Sequence, residues 1–339
     1  MKIRATTCAA LAACASFMAF AIAAPAAAQA TESPADNRIE AIAAVVPEGV
    51  TGDELVSVDS DSLNYSANDA VVEVPRSIDE NATLTTSERS VQVALPFSDQ
   101  AAEAAVTSDG IAVFDNENLS ATVPTVHDDG SLQIFTVIDG PQAPTRYEYD
   151  ITTAAGSTLT LVEGGGVVIT DSVGNFAGAV TPPWAKDADG HALPTHYEVA
   201  GSTLTQVVDH SAATSYPVVA DPWLGIQLFT GFTSAARWKG DIVYQASVTG
   251  AGSLVLGGGG GVGGYLAGGA VFRSNGWAEW TSRWPAITNK ATLKQQYDCH
   301  VMAGNLGLFA TGPYNLERAQ SNFANWGPTV VSHHCNWTK

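Results

Sequence analysis

Cationic side chains are scarce in this 339-residue chain: 15 Lys and Arg stand against 34 Asp and Glu, a formal charge of −19. Phosphate backbones repel such a surface, which argues against nucleic-acid binding over most of the length. Catalytic signatures are missing too. There is no Gly-x-Ser-x-Gly elbow, no P-loop and no HExxH, and the glycine run Gly257–Gly261 lacks the strand-to-helix context of a dinucleotide fingerprint. No cofactor and no metal site is therefore expected. Charge is absent altogether from the 31 residues between Asp241 and Arg273, yet eleven glycines there cost about 1 kcal/mol each in helix propensity. A stable transmembrane helix is not expected in the mature chain. Two strands, Ile242–Val248 and Ala267–Phe272, around a glycine loop are expected instead, with a membrane-active role for segment 250–270 as an alternative.

What is present begins with an export signal. Lys2 and Arg4 precede an alanine-rich apolar run, and Pro25 breaks it before Ala28-Gln29-Ala30. Cleavage before Thr31 follows, so residues 1–30 read as a signal peptide and the protein as secreted. Leu11-Ala12-Ala13-Cys14 matches a lipoprotein box, but the apolar run continues past it through Phe17, Phe20 and Ile22. Only Cys299 and Cys335 survive cleavage, and two cysteines in an exported chain are expected to pair. Closing that loop stabilises by roughly 3–4 kcal/mol.

Charge divides the remainder. Residues 31–222 hold 30 acidic and 5 basic side chains; residues 223–339 hold 4 and 8, together with seven of the eight tryptophans. Residues 31–85, poor in aromatics and without sustained periodicity, read as a flexible leader with room for one short helix. Residues 86–222 read as an acidic antiparallel β domain, a sandwich or meander. Alternating runs such as Val91–Leu95, Leu132–Val137 and Tyr147–Ile151 are punctuated by Asp109-Gly110 and Asp129-Gly130, and Asp-Gly supplies the positive φ of a hairpin turn. Tyr147-Glu148 with Gly156–Thr160 is echoed by Tyr197-Glu198 with Gly201–Thr205.

Residues 223–339 read as a small α+β domain. Trp277, Trp280 and Trp284 fall at i, i+3 and i+7 of one helical face before Pro285. They form either a core stripe or an aromatic platform for a ligand. Asn289 is placed to cap a helix carrying Leu293, Tyr297, His300 and Val301, with Cys299 near its end and Gly304 closing it. Asn315 is placed to cap Leu316–Asn325. A Cys299–Cys335 bridge then staples the helices to a C-terminal strand and draws Asp298 and His300 toward His333 and His334. Imidazole beside carboxylate suits general-base chemistry.

Two family resemblances add to this. Pro183–Gly190, Leu193–Tyr197 and Tyr216–Pro222 resemble a module found near the front of many exported actinobacterial proteins. It spans about Arg89 to Pro222 and implies a reusable β module without an activity. Trp277-Ala278-Glu279, Gln296, Cys299-His300, Asn315-Leu316-Glu317 and Cys335-Asn336 resemble the small secreted actinobacterial family called domain of unknown function 2599. Tyr314 stands where that family tends to have Trp, and Arg318 directly follows Glu317. The resemblance implies the disulfide and a candidate surface only. The expected function is a binding or interaction module at the cell envelope or outside the cell. The alternative is an extracellular hydrolase or toxin using His300, Glu317, His333 and Asp298.

Overall fold

A computed structural model describes residues 33–46, 55–58, 61–107, 109–153, 155–257, 267–307 and 312–337, with backbone alone for 55–58. The signal segment and residues 258–266 of the glycine-rich stretch lie outside the described residues.

The turn signals divide the acidic region into short antiparallel strands. In chain order these are β1 (Leu55–Val58), β2 (Ser62–Ala67), β3 (Ala70–Pro75), β4 (Ala82–Thr85), β5 (Ser90–Val93), β6 (Ala105–Val106), β7 (Ala112–Asp115), β8 (Ser120–Val126) and β9 (Leu132–Ile138). They continue with β10 (Arg146–Thr152), β11 (Thr158–Leu161), β12 (Val167–Thr170), β13 (Phe176–Val180), β14 (Trp184–Lys186), β15 (Thr195–Ala200), β16 (Thr203–Val208), β17 (Val218–Asp221) and β18 (Trp223–Gly225). One sheet runs β1-β2-β3-β4-β5-β10-β16-β15; a second runs β11-β12-β13-β18-β9-β8-β7-β6, with β17 joining β14 to β9. Apolar residues from both sheets form a shared core, among them Leu63, Val72, Leu84 and Tyr149 from the first and Phe114, Ile134 and Val167 from the second. The sequence echo has a structural counterpart. Strands β10 and β15 flank β16, with Tyr147 and Tyr197 both opposite Gln206, and Glu148 and Glu198 both opposite Thr205.

The expected all-β domain followed by a small disulfide-bonded α+β region is the fold observed. The flexible leader is not: residues 62–85 supply three strands of the first sheet, and Leu63, Val74 and Leu84 are buried. Ahead of them α1 (Pro34–Val45) opens with a capping box between Ser33 and Asp36. It buries Ile42 and Val45 against Val123, Phe135 and Val137 on the outer face of the second sheet. The reason lies in β8 and β9, every residue of which is buried. A strand buried on both faces needs a second cover, and α1 supplies it. The boundary expected at residue 222 also moves. β18 completes the second sheet, and Leu224 and Ile226 belong to its core, so the charge step marks a change of surface rather than the end of the sandwich.

The C-terminal region builds on β19 (Phe229–Thr233), β20 (Arg237–Trp238), β21 (Asp241–Val248) and β22 (Tyr314–Glu317), the other three all pairing with β21. Around them lie α2 (Gly250–Leu256), α3 (Trp277–Arg283), α4 (Ala291–Asn305) and α5 (Val330–His333). Four sequence expectations change here. Ala267–Phe272 is helical rather than a strand, running through a π turn at Phe272–Gly276 into α3. Its glycines serve close approach: a Cβ on Gly268 would meet the Val255 carbonyl oxygen at 1.9 Å, and one on Gly276 the Tyr297 hydroxyl at 2.4 Å. Leu316 lies in a strand, not a helix, because Tyr314 and Leu316 alternate inward with period two. Asn289 ends a 3-10 turn, and α4 starts after Lys290 and continues through Gly304 to Asn305, leaving Cys299 mid-helix. Cys335 follows α5 rather than sitting in a strand.

Candidate functional site

The seam between α4 and β22 gathers most of the expected site residues. Thr292, Gln296 and His300 recur at every fourth position and so share one face of α4. Thr292 Oγ1 donates to the Ser321 carbonyl at 3.1 Å. Gln296 Nε2 donates to the Glu317 carbonyl at 3.1 Å, while the Glu317 N–H donates to Gln296 Oε1 at 2.8 Å. The buried amide thus mimics a neighbouring strand on the free edge of β22. His300 stacks on Tyr314, ring centroids 4.7 Å apart and planes within 21°. Its Nδ1 is shut off from solvent and has no hydrogen-bond partner among the described residues. Burial pushes its pKa down to about 4, against a small opposing effect from the Asn315 backbone, so the ring is neutral near pH 7.

The expected bridge is present, Cys299 to Cys335 with Cα atoms 5.5 Å apart, but it does not assemble a catalytic group. His333 spends both ring nitrogens on the fold: Nε2 donates to the Trp326 carbonyl at 2.9 Å, and Nδ1 accepts from the Cys335 N–H at 3.0 Å. Those partners assign the tautomer. The ring packs edge-on against Phe323 and Trp337. His334 follows with φ 48° as the left-handed C-cap of α5. Asp298 pairs with Lys294 one turn away. The Glu317 carboxyl is pushed upward by burial, and its backbone is the part that Gln296 holds. Among the described residues no hydrogen bond joins His300, Glu317, Asp298 or His333 to one another.

The tryptophan stripe is core. Trp280 is fully buried, with Phe229, Phe232, Trp284 and Tyr297 around it at centroid distances of 5.6 to 6.0 Å. Trp277 packs on Tyr297 at 4.9 Å and Trp284 on Tyr244 at 5.0 Å. Trp280 therefore has no face open to a ligand, while Trp277 and Trp284 are partly buried against the same cluster.

An ion pair that sequence reasoning did not single out holds the C-terminal region to the sandwich. Arg89 Nη1 lies 2.8 Å from Glu279 Oε1, with side chains 9% and 11% exposed. Glu279 also accepts the Leu228 and Phe229 N–H groups at 3.1 Å, and Arg89 donates to the Ile226 carbonyl at 3.1 Å. Burial raises the Glu279 pKa; the guanidinium and the two amides oppose it. Arg283 pairs with Asp69 beside it, and a polar cavity of about 310 Å³ lies between the two pairs. A signal existed in composition: Arg89 is one of five cations in the acidic stretch, and Glu279 one of four acids beyond it.

Asp187, Asp189 and His191 bring potential ligand atoms within 4.8 Å of one another. Asp187 already accepts the N–H groups of Asp189 and His191 at 3.0 and 2.8 Å, and Ser215 donates to Asp189 at 2.6 Å. That pattern is an Asx turn holding its own loop. No described helix is long and apolar enough to cross a membrane.

No protein-family model matches the chain, and no curated protein matches it either.

Proposed function

We propose that this is an exported, non-catalytic interaction protein, with the acidic β sandwich as a scaffold that carries and completes the disulfide-bonded C-terminal unit. The observation that carries this reading is that three of the four candidate catalytic side chains are tied into the fold. His333 bridges Trp326 and Cys335, Asp298 pairs with Lys294, and His300 lies neutral against Tyr314. A general base needs a free lone pair within reach of substrate: both His333 nitrogens are bonded, the free His300 Nδ1 is shut off from solvent, and Asp298 is tied to Lys294 with no imidazole bonded to it. The sandwich contributes to the C-terminal core directly, since Phe176 and Ala179 of β13 join Leu228, Phe229 and Trp280 in one cluster. The resemblance of Trp277–Trp337 to domain of unknown function 2599 fits the same picture, because its Glu279 and Gln296 are both fold-holding groups here. Export through residues 1–30 would place the chain at the cell envelope or beyond it.

The test has two arms. Mature protein assayed against ester, peptide, glycoside and phosphodiester substrates is expected to show no turnover. Turnover lost in His300→Ala, with the fold intact by circular dichroism, would restore the hydrolase alternative. Cosedimentation with washed cell-envelope fragments is expected for the wild type, and a protein that stays wholly in the supernatant would remove the interaction reading.

A further inference from the structure

Cations are rare in this molecule, and half of the eight in residues 223–339 meet at one place. Strands β20 and β21 form a hairpin whose two-residue turn is Lys239-Gly240, with Trp238 paired to Asp241. Both turn residues have positive φ, 47° at Lys239 and 80° at Gly240, as a type I′ hairpin requires. Asn or Gly is the favoured occupant of the first position; a lysine there is a conformational cost that the fold does not need. Its ammonium sits 4.2 Å above the Trp238 ring. Arg237, exposed beside it, uses one guanidinium nitrogen to hold the carbonyls of Ser234, Ala235 and Ala236 at 2.7, 3.2 and 2.9 Å. Arg318 reaches Asp241 at 3.1 Å, and Lys290 binds the Arg318 carbonyl. Asp241 is the one acid in this group: Arg318 and Lys290 face its carboxylate, while Lys239 covers the indole.

Trp238 differs from the expected tryptophans. It joins none of the hydrophobic clusters formed by the described residues, whereas Trp280 belongs to one and Trp277 and Trp284 pack against it. An indole left out of the core and flanked by ammonium and guanidinium groups matches the chemistry of a membrane interface. The ring settles at headgroup depth and the cations meet anionic lipid. Overall charge adds direction: an anionic bilayer repels a chain of net charge −19 but attracts a cationic tip, which orients the approach hairpin first.

We infer that the β20–β21 tip, through Trp238, Lys239 and Arg237 with Lys290 and Arg318 behind them, docks the protein on anionic lipid surfaces. This rests on the interaction reading above and names its partner chemistry. The experiment is cosedimentation of the mature protein with phosphatidylcholine vesicles, with and without phosphatidylglycerol. Wild type is expected to bind only the phosphatidylglycerol vesicles, and more weakly as salt rises. Loss of each cation should weaken binding about fivefold. Lys239→Gly, which preserves the turn, tests that figure without threatening the fold; Lys239→Glu and Trp238→Ala should bind more weakly still. Arg273→Glu, an equal charge change in the turn Phe272–Gly276, should bind like wild type. Equal weakening by Arg273→Glu would reduce the effect to net charge and overturn the site. Wild-type binding to lipid-free wall polymer but not to vesicles would overturn the membrane assignment. Should envelope fragments hold wild type and Trp238→Ala equally, the tip falls while the interaction reading stands; should they hold neither, both fall.

Discussion

Two buried carboxylates on either side of residue 222 receive opposite treatment. Glu279, in the C-terminal region, faces a guanidinium and two backbone amides. Asp221, at the end of β17, has no cation partner among the described residues: Gln133 Nε2 donates to it at 2.6 Å and the Trp184 N–H at 3.4 Å. Burial therefore drives Asp221 up to about 7, with those two donors opposing the shift only in part. His127, hydrogen-bonded to the same Gln133 at 2.9 Å, is held down by its own burial and adds no counter-charge near pH 7. The same functional group is thus an ionic clasp in one region and a proton-holding group in the other. The difference is one arginine.

Removing that arginine should break the comparison most sharply. Arg89→Ala leaves Glu279 buried with only the Leu228 and Phe229 amides for partners, a loss of about 3–5 kcal/mol. Replacing both residues with neutral groups, as in Arg89→Met with Glu279→Gln, should recover much of it. Urea unfolding measures both, and a cost below about 1 kcal/mol for Arg89→Ala would mean the pair is a solvated contact.

Asp221 should reveal itself through pH. In the unfolded chain its carboxyl ionises near 3.9. Below that value both states are protonated and no penalty exists. As pH rises toward 7 the unfolded state gives up the proton while the folded state keeps it, so stability falls. The loss, on the order of 3–4 kcal/mol, levels off above pH 7. Asp221→Asn should flatten this fall between pH 4 and 8. Thermal melts across that range check it, and a wild-type slope retained in the variant would place the proton elsewhere.

Much of the sandwich was legible in the sequence because Asp-Gly turns and period-two runs are local signals. Helix α1 was not. Its few apolar residues look idle until β8 and β9 are seen to lack a polar face, and Leu132–Ile138 already carried that hint as a nearly unbroken apolar run. Ala267–Phe272 was misread because its glycines allow close helix packing, a long-range purpose that composition resembles loop freedom in expressing. In the C-terminal region the disulfide was legible from the cysteine count together with the expectation of export. The fate of His300, His333 and the tryptophans was not, since it depends on which partners fold against them. Trp238 and Lys239 were overlooked for the converse reason: nothing local distinguishes an indole that the core leaves out from one it takes in.

The smallest effect tests the same contrast with a neutral group. Gln296 does for the edge of β22 what Arg89 does for Glu279, but without charge, so it has no proton to lose. Gln296→Ala strips partners from the Glu317 N–H and carbonyl and should cost about 1–3 kcal/mol. Gln296→Glu is the sharper variant. As a carboxylate it can accept from the Glu317 N–H but repels the Glu317 carbonyl, and as a carboxylic acid it can donate to that carbonyl and nearly restore the native pattern. Its penalty should therefore be large at pH 7 and small at pH 4. Equal loss at both pH values in thermal melts would show that Gln296 matters for its volume, and that the edge of β22 is held by packing alone.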